Sequence, residues 1–233
     1  MLEGELPLDG SRFEGMVPPV VTAPSFAIRK RASKVFSLDQ YVDDNIISRE
    51  QRQVIDRGIE ERKNIIISGG TGSGKTTLTN AIIAGITETH PADRIVTIED
   101  TYELQCSAEN VVPMHSSEKV DMQRLLKVTM RMRPDRIIVG EVRGAEALAL
   151  LKAWNTGHPG GCATLHANSP TGALTRLHHL TAEGVATSDH IPELIAEAVN
   201  IVVQIAKTTE GRKVTGICEV HAYEDNEYRF TML

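Results

Sequence analysis

Lys75, Thr76 and a run of glycines stand together in "GGTGSGKTT", Gly69 to Thr77. The spacing fits Gly, four residues, then Gly-Lys-Ser/Thr, with Gly69, Gly74, Lys75 and Thr76 at the diagnostic places. Glycines there let successive backbone N–H groups converge on phosphate oxygens, and a helix opening at Lys75 adds the positive end of its dipole. Gly69, Gly70, Thr71, Gly72, Ser73, Gly74, Lys75, Thr76 and Thr77 are therefore expected to hold nucleotide phosphates. Lys75 would reach the β- and γ-phosphates, and the Thr76 hydroxyl would bind Mg2+.

Hydrolysis needs carboxylates that hold the metal and orient water. Two segments offer them. "RIVTIEDTYEL" ends a strand in Glu99 and Asp100, with Glu103 shortly after, and "RIIVGEVRG" leads through Gly140 to Glu141. Both place acid at the carboxyl ends of strands, the edge where the phosphate loop also lies. Gly140 stands where a metal-binding Asp is usual, and the acidic cluster could supply what is missing. Either segment alone could be a solvated turn; two such clusters beside a phosphate loop favour the catalytic reading. In "GGCATLHANSP" a strand presents His166, then Asn168 and Ser169, before a helix near Pro170. His166 would lie on the same edge, one strand further from the loop. It could hydrogen-bond a γ-phosphate or be structural.

The elements that must position these groups alternate along the chain. "SREQRQVIDRGIEERK" reads as a helix capped by Ser48, with Val54, Ile55 and Ile59 at helical spacing. Strands follow at Ile65–Ser68, Arg94–Ile98, Arg136–Gly140, Cys162–Leu165 and Ile201–Ala206. Helices are predicted at Lys75–Glu88, Met122–Met132, Ala145–Asn155, Thr171–Ala182 and Pro192–Val199. "NIII", "RIVTI", "RIIV" and "IVVQIA" show little polar alternation, as expected of strands buried on both faces of a parallel sheet. Lys213–His221 and Glu227–Met232 read as a C-terminal hairpin. Residues 1–45 differ in character, with strands expected around Phe13–Val21 and Ser25–Arg29, prolines, and a basic run Arg29-Lys30-Arg31. They are expected to be the remnant of a truncated N-terminal domain with its linker, and 46–233 the main domain.

The 233 residues are 41% hydrophobic, with net charge −6, enough for one well-buried core. Aromatics at 4% and the acidic balance argue against a base-stacking or nucleic-acid-coating surface. Cys106, Cys162 and Cys218 are too few and too scattered for a disulfide framework or a metal box. No run approaches the roughly 20 apolar residues that cross a bilayer, and the acidic N-terminus lacks a signal-peptide pattern. A cytoplasmic protein is expected, meeting the inner face of the membrane only through partners.

In order, "GGTGSGKTT", "TIEDTYEL", "MRMRPDRIIVGEVRG" and "GGCATLHANSP" resemble the Walker A, Asp box, atypical Walker B and His box of the secretion ATPases. That superfamily drives type II secretion, type IV pili and type IV secretion. The resemblance spans about Ser48 to Leu233, and "IRK" and "RMRPDRI" look most like its conjugation branch. It implies an α/β fold: a RecA-like P-loop core with a mostly parallel sheet and a C-terminal β-hairpin. It also implies an ATP- and Mg2+-dependent hydrolase working as a homo-hexamer with ATP at subunit boundaries. Partners would be inner-membrane components of a secretion or conjugation apparatus, with no direct nucleic-acid contact. By this resemblance Glu141 is the catalytic base, Lys75 and Glu103 assist catalysis, and Glu99 and Asp100 join Thr76 at the metal. His166 lies near the γ-phosphate. Arg12 and Arg29 match N-terminal arginines that touch the phosphates, and Arg131, Arg133 and Arg143 are further candidates at the subunit boundary. A RecA-like DNA translocase, a small-molecule kinase and a non-catalytic nucleotide switch share the loop and remain alternatives.

Overall fold

A computed structural model of the chain describes residues 1–8, 10–30, 34–183 and 190–233, and Arg31 of the basic run lies outside the described residues. The chain divides into two compact units, Met1–Lys34 and Val35–Leu233. The first is an antiparallel sheet of β1 (Leu2–Glu5), β2 (Arg12–Met16) and β3 (Ser25–Arg29), in that order. Phe13 and Phe26 stack across β2 and β3 with centroids 6.0 Å apart. The expected strand at Phe13–Val21 stops at Met16, because Pro18 and Pro19 have no N–H to give a ladder. Short, acidic β1 carries no apolar alternation by which to be found.

The second unit opens with α1 (Leu38–Asp43) and α2 (Arg49–Glu60), followed by β4 (Ile65–Ser68) and α3 (Lys75–Thr89). Next come β5 (Ile95–Glu99), β6 (Val111–His115), α4 (Met122–Thr129), β7 (Arg136–Val142) and α5 (Glu146–Asn155). The chain closes with β8 (Cys162–Leu165), α6 (Pro170–Ala182), α7 (Ile191–Ala198), β9 (Ile201–Thr208), β10 (Gly211–Glu224) and β11 (Glu227–Met232). Among the described residues these strands form one eight-stranded sheet, ordered β11-β10-β9-β4-β8-β7-β5-β6. The ladders from β9 through to β6 are parallel, and β10 and β11 add antiparallel strands beside β9. This is the α/β, mostly parallel architecture expected, and the C-terminal hairpin extends it.

Alternate residues of the buried strands feed two apolar layers. Ile65 and Ile67 face α1, α2 and α3, whereas Ile66 faces the side covered by α4 to α7. Each fully buried Ile or Leu in these layers contributes about 1.5–3 kcal/mol. Helix α2 starts where Ser48 accepts from the Gln51 N–H while the Gln51 side chain returns to the Ser48 N–H. That reciprocal cap satisfies two helix-end donors. α1 was not expected as an element, yet Leu38 and Tyr41 bury it against the same layer as α2.

One strand lies outside the expected set, and one expectation changes. β6 forms at "VVPMH", where Pro113 argues against a strand in sequence; it is tolerated because β6 is the sheet edge. β8, not β7, is the immediate neighbour of β4, so His166 lies a strand nearer the phosphate loop than Glu141 does. Because the central strands are parallel, β4, β5, β7 and β8 all end on one edge, and that edge carries the site.

Candidate active site

The phosphate loop turns tightly between β4 and α3. Gly72 and Gly74 have φ of 69° and 102°, the left-handed region where a side chain is strained. A Cβ on Gly69 would collide with the Ile205 carbonyl oxygen, so this glycine is needed for a close backbone approach. Buried Lys75 donates from Nζ to the Gly69 and Gly70 carbonyls at 3.0 and 3.1 Å. Ser73 Oγ is buried without a hydrogen-bond partner. An orphaned hydroxyl inside a glycine-rich turn costs about 1–3 kcal/mol, and a phosphate oxygen would satisfy it. The loop therefore fits a nucleotide.

The acids divide the work. Glu99 is almost fully buried and its Oε1 accepts the backbone N–H groups of Glu103 and Leu104 at 2.9 and 2.8 Å. Burial pushes its carboxyl above the ordinary value, with those two donors opposing and the neighbouring acids reinforcing the rise. Glu99 thus braces the loop that carries Glu103. Thr76 Oγ1 donates to Glu103 Oε2 at 3.3 Å, which brings one hydroxyl and one carboxylate together as hard oxygen donors suited to Mg2+. A Cβ on Gly140 would come within 3.0 Å of Glu99 Cγ, so the space beside that strand position is filled by the Glu99 side chain.

Glu141 lies at an irregularity in β7. Between Val139 and Val142 the pairing with β8 slips by one residue, and Thr164 Oγ1 donates to the Gly140 carbonyl at 2.6 Å. An extra residue of this kind re-aims side chains at the end of a ladder. Glu141 Oε2 accepts from Arg143 Nη2 at 2.8 Å, and Oε1 lies 3.0 Å from His166 Nε2. Arg143 also pairs with Asp100. Burial opposes ionisation of Glu141, but Arg143, His166 and Lys75 outweigh it and hold its carboxyl below the ordinary value. Burial, with Lys75, Arg143 and Arg176, lowers the His166 imidazole, and Glu141 partly opposes this. Lys75 Nζ lies 3.4 and 3.5 Å from the two ring nitrogens; a proton on Nε2 would serve the acceptor-only Glu141 carboxylate and leave Nδ1 to accept from Lys75. Lys75, His166 and Glu141 are thereby joined in one chain of contacts.

Thr77 follows in the first turn of α3, half-buried, while Thr71, Gly70 and Gly72 are exposed at the loop. Arg131 and Arg133 are exposed in the turn before β7, on the opposite edge of the sheet from the loop. Arg12 and Arg29 are register partners across β2 and β3 in the other unit.

Sequence reading missed three residues here. Asn80 on α3 donates to the Glu103 carbonyl and accepts from the Gln105 N–H, at 3.2 and 3.0 Å, pinning the acidic loop to the helix. Gln204 ties β9 to β4 and to the backbone after His166. Arg212 lies over the end of the phosphate loop, since a Cβ on Gly74 would meet its Cδ at 2.9 Å. Asn80 and Gln204 are polar residues inside apolar runs, a signal that something specific must satisfy them.

The family described as type II/IV secretion system protein matches residues 11–229. A conjugal transfer protein TrbB from Rhizobium radiobacter is 54% identical over 229 residues, 98% of this chain and 70% of that protein. A type IV secretion system protein VirB11 from Bartonella quintana is 32% identical, covering 93% of this chain and 72% of the relative. The crystal structure of the VirB11 ATPase of the Brucella suis type IV secretion system, in complex with sulphate, superposes with a TM-score of 0.68 at 26% identity. It covers 94% of this chain and 75% of that one.

Proposed function

The chain belongs to the type II/IV secretion system protein family, and from that premise we propose that it is an ATP-hydrolysing motor of a conjugative type IV secretion apparatus. The observation that carries this reading is the convergence of Lys75, His166 and Glu141 on one sheet edge, with Thr76 and Glu103 beside them. In it, the phosphate loop binds ATP, and Lys75 exchanges the Gly69 and Gly70 carbonyls for phosphate oxygens. Thr76 and Glu103, in a loop that Glu99 shapes, would hold Mg2+, which would supply charge neutralisation at the phosphates. Glu141 accepts a proton from the attacking water. His166 faces the γ-phosphate from the neighbouring strand, and Asp100 acts through Arg143 rather than at the metal.

Six copies are proposed to form a ring, with Arg131 and Arg133 at the boundary between copies. The protein is proposed to work in the cytoplasm and to reach the membrane through its partners in the apparatus. Among the described residues, no helix is long and apolar enough to cross a membrane. Phosphate release from Mg-ATP, measured together with native mass, tests the reading. Free phosphate and ADP from a hexamer are expected. Phosphate transferred to an acceptor molecule, or an absence of turnover by an assembled ring, would overturn it.

A further inference from the structure

β9 runs between β4 and β10, and Ile201, Val202, Val203 and Ile205 are all buried. Gln204 interrupts them and is itself only 4% exposed. An amide left unsatisfied at such a place would cost about 1–3 kcal/mol. Its two ends are instead taken up by two different segments of the site. Ser68 Oγ, on the last residue of β4 before the phosphate loop, donates to Gln204 Oε1. Gln204 Nε2 donates to the carbonyl of Ala167, the residue after His166, at 3.2 Å. Ser68 pairs in register with Gln204 on one side and with Leu165 on the other, and the Gly69 N–H donates to the Leu165 carbonyl at 3.3 Å. The amide therefore closes a circuit that reaches across β4 from β9 to the backbone leaving β8.

We propose that Gln204 is a positioning residue of the hydrolytic site, whose side-chain amide fixes the backbone beyond β8 so that His166 is held between Lys75 and Glu141. Gln204 touches no phosphate; it acts through His166, and this inference rests on the reading of His166 as the group facing the γ-phosphate. His166 is nearly half exposed, with a side-chain accessibility of 45%, so packing alone does not fix its ring. Nevertheless the ring lies 3.0 Å from Glu141 Oε1 and 3.4 Å from Lys75 Nζ. The backbone is fixed on either side of the ring: at Leu165 by its ladder and the Gly69 N–H, and at the Ala167 carbonyl, beyond the end of β8, by Gln204. An amide serving only to stitch the core would affect stability without regard to His166.

The test is Gln204→Met in the full chain, made both alone and in a His166→Ala background. Turnover, KM for ATP, affinity for a fluorescent nucleotide, and the His166 ring signals by NMR in nucleotide-free protein are measured. Gln204→Met alone is expected to lower kcat about tenfold, keep KM and nucleotide affinity within about twofold, and shift the His166 ring signals. In the His166→Ala background the same change is expected to alter kcat by less than about twofold, since contributions acting through one group are not additive. Effects that multiply, an equal loss of nucleotide affinity, or unmoved ring signals would overturn the proposal. If His166→Ala alone leaves kcat unchanged, the reading of His166 falls and this inference with it. If His166→Ala lowers kcat but the effects multiply, only this inference falls. Should Gln204→Met fail to fold, Ser68→Ala removes one partner of the amide and leaves the bond to Ala167. Its smaller loss of kcat is expected only when His166 is present, and a loss independent of His166 again overturns the proposal.

Discussion

Arg143 bridges two carboxylates, Asp100 and Glu141, and that bridge lowers the basicity of the group proposed to accept a proton from water. A carboxylate stabilised by a guanidinium is a weaker base than a free one. Replacing Arg143 with Gln removes the main influence that lowers the Glu141 carboxyl, which then moves up toward or past the ordinary value. Because the base must be deprotonated to act, the acid limb of the pH–rate profile is expected to move to higher pH. Measuring kcat between pH 4 and 8 checks the sign, and an unmoved limb would contradict it. Lys75, Thr76, Glu141 and His166 were legible in the sequence because each sits at a fixed offset from a strand end. The division among Glu99, Asp100 and Glu103 was not, because the turn decides which carboxylate faces Thr76 and which receives backbone N–H groups. Likewise the sequence shows only that Gly140 lacks a carboxylate; packing shows that the Glu99 side chain occupies the neighbouring space.

At the scale of elements, the strand ends opposite the site are tied by a buried cluster. Asp93, before β5, accepts from Arg136 Nε at 2.7 Å and from Arg62 Nη2 at 2.6 Å, and Arg136 is fully buried. Burial alone would raise the Asp93 carboxyl, but the two arginines outweigh it and hold it below its ordinary value. A lowered folded value means that the stabilisation is complete above the unfolded carboxylate range, about 4, and is lost as pH falls through the folded value. Asp93→Asn leaves the Arg136 charge short of its partner and is expected to destabilise the protein by about 3–5 kcal/mol at pH 7. The gap from the parent should narrow below about pH 4, which urea unfolding at both pH values would read. A constant gap would contradict this account. The periodic helices and apolar strands were readable from sequence because their burial is continuous. β6 and α1 were not, being a short edge strand containing Pro113 and a helix of six residues whose burial depends on neighbours distant in sequence.

For the whole molecule, the order β4-β8-β7-β5 gathers four segments spread over almost 100 residues onto one edge, and no segment alone makes a hydrolytic site. Residues from Gly69 to His166 meet there because parallel strands return the chain in the same direction each time. Assembly into a ring would add groups from other copies, yet the proposed proton acceptor, Glu141, lies within this chain. The most direct measurement is therefore made on Glu141→Gln, which keeps the size and hydrogen-bonding reach of the side chain but removes its ability to take a proton. ATP hydrolysis and nucleotide affinity are measured side by side against the parent protein. The account predicts nucleotide affinity within about threefold of the parent and turnover reduced at least about a hundredfold, the range expected for loss of a general base. A Glu141→Gln protein that hydrolyses ATP at the parent rate would contradict it.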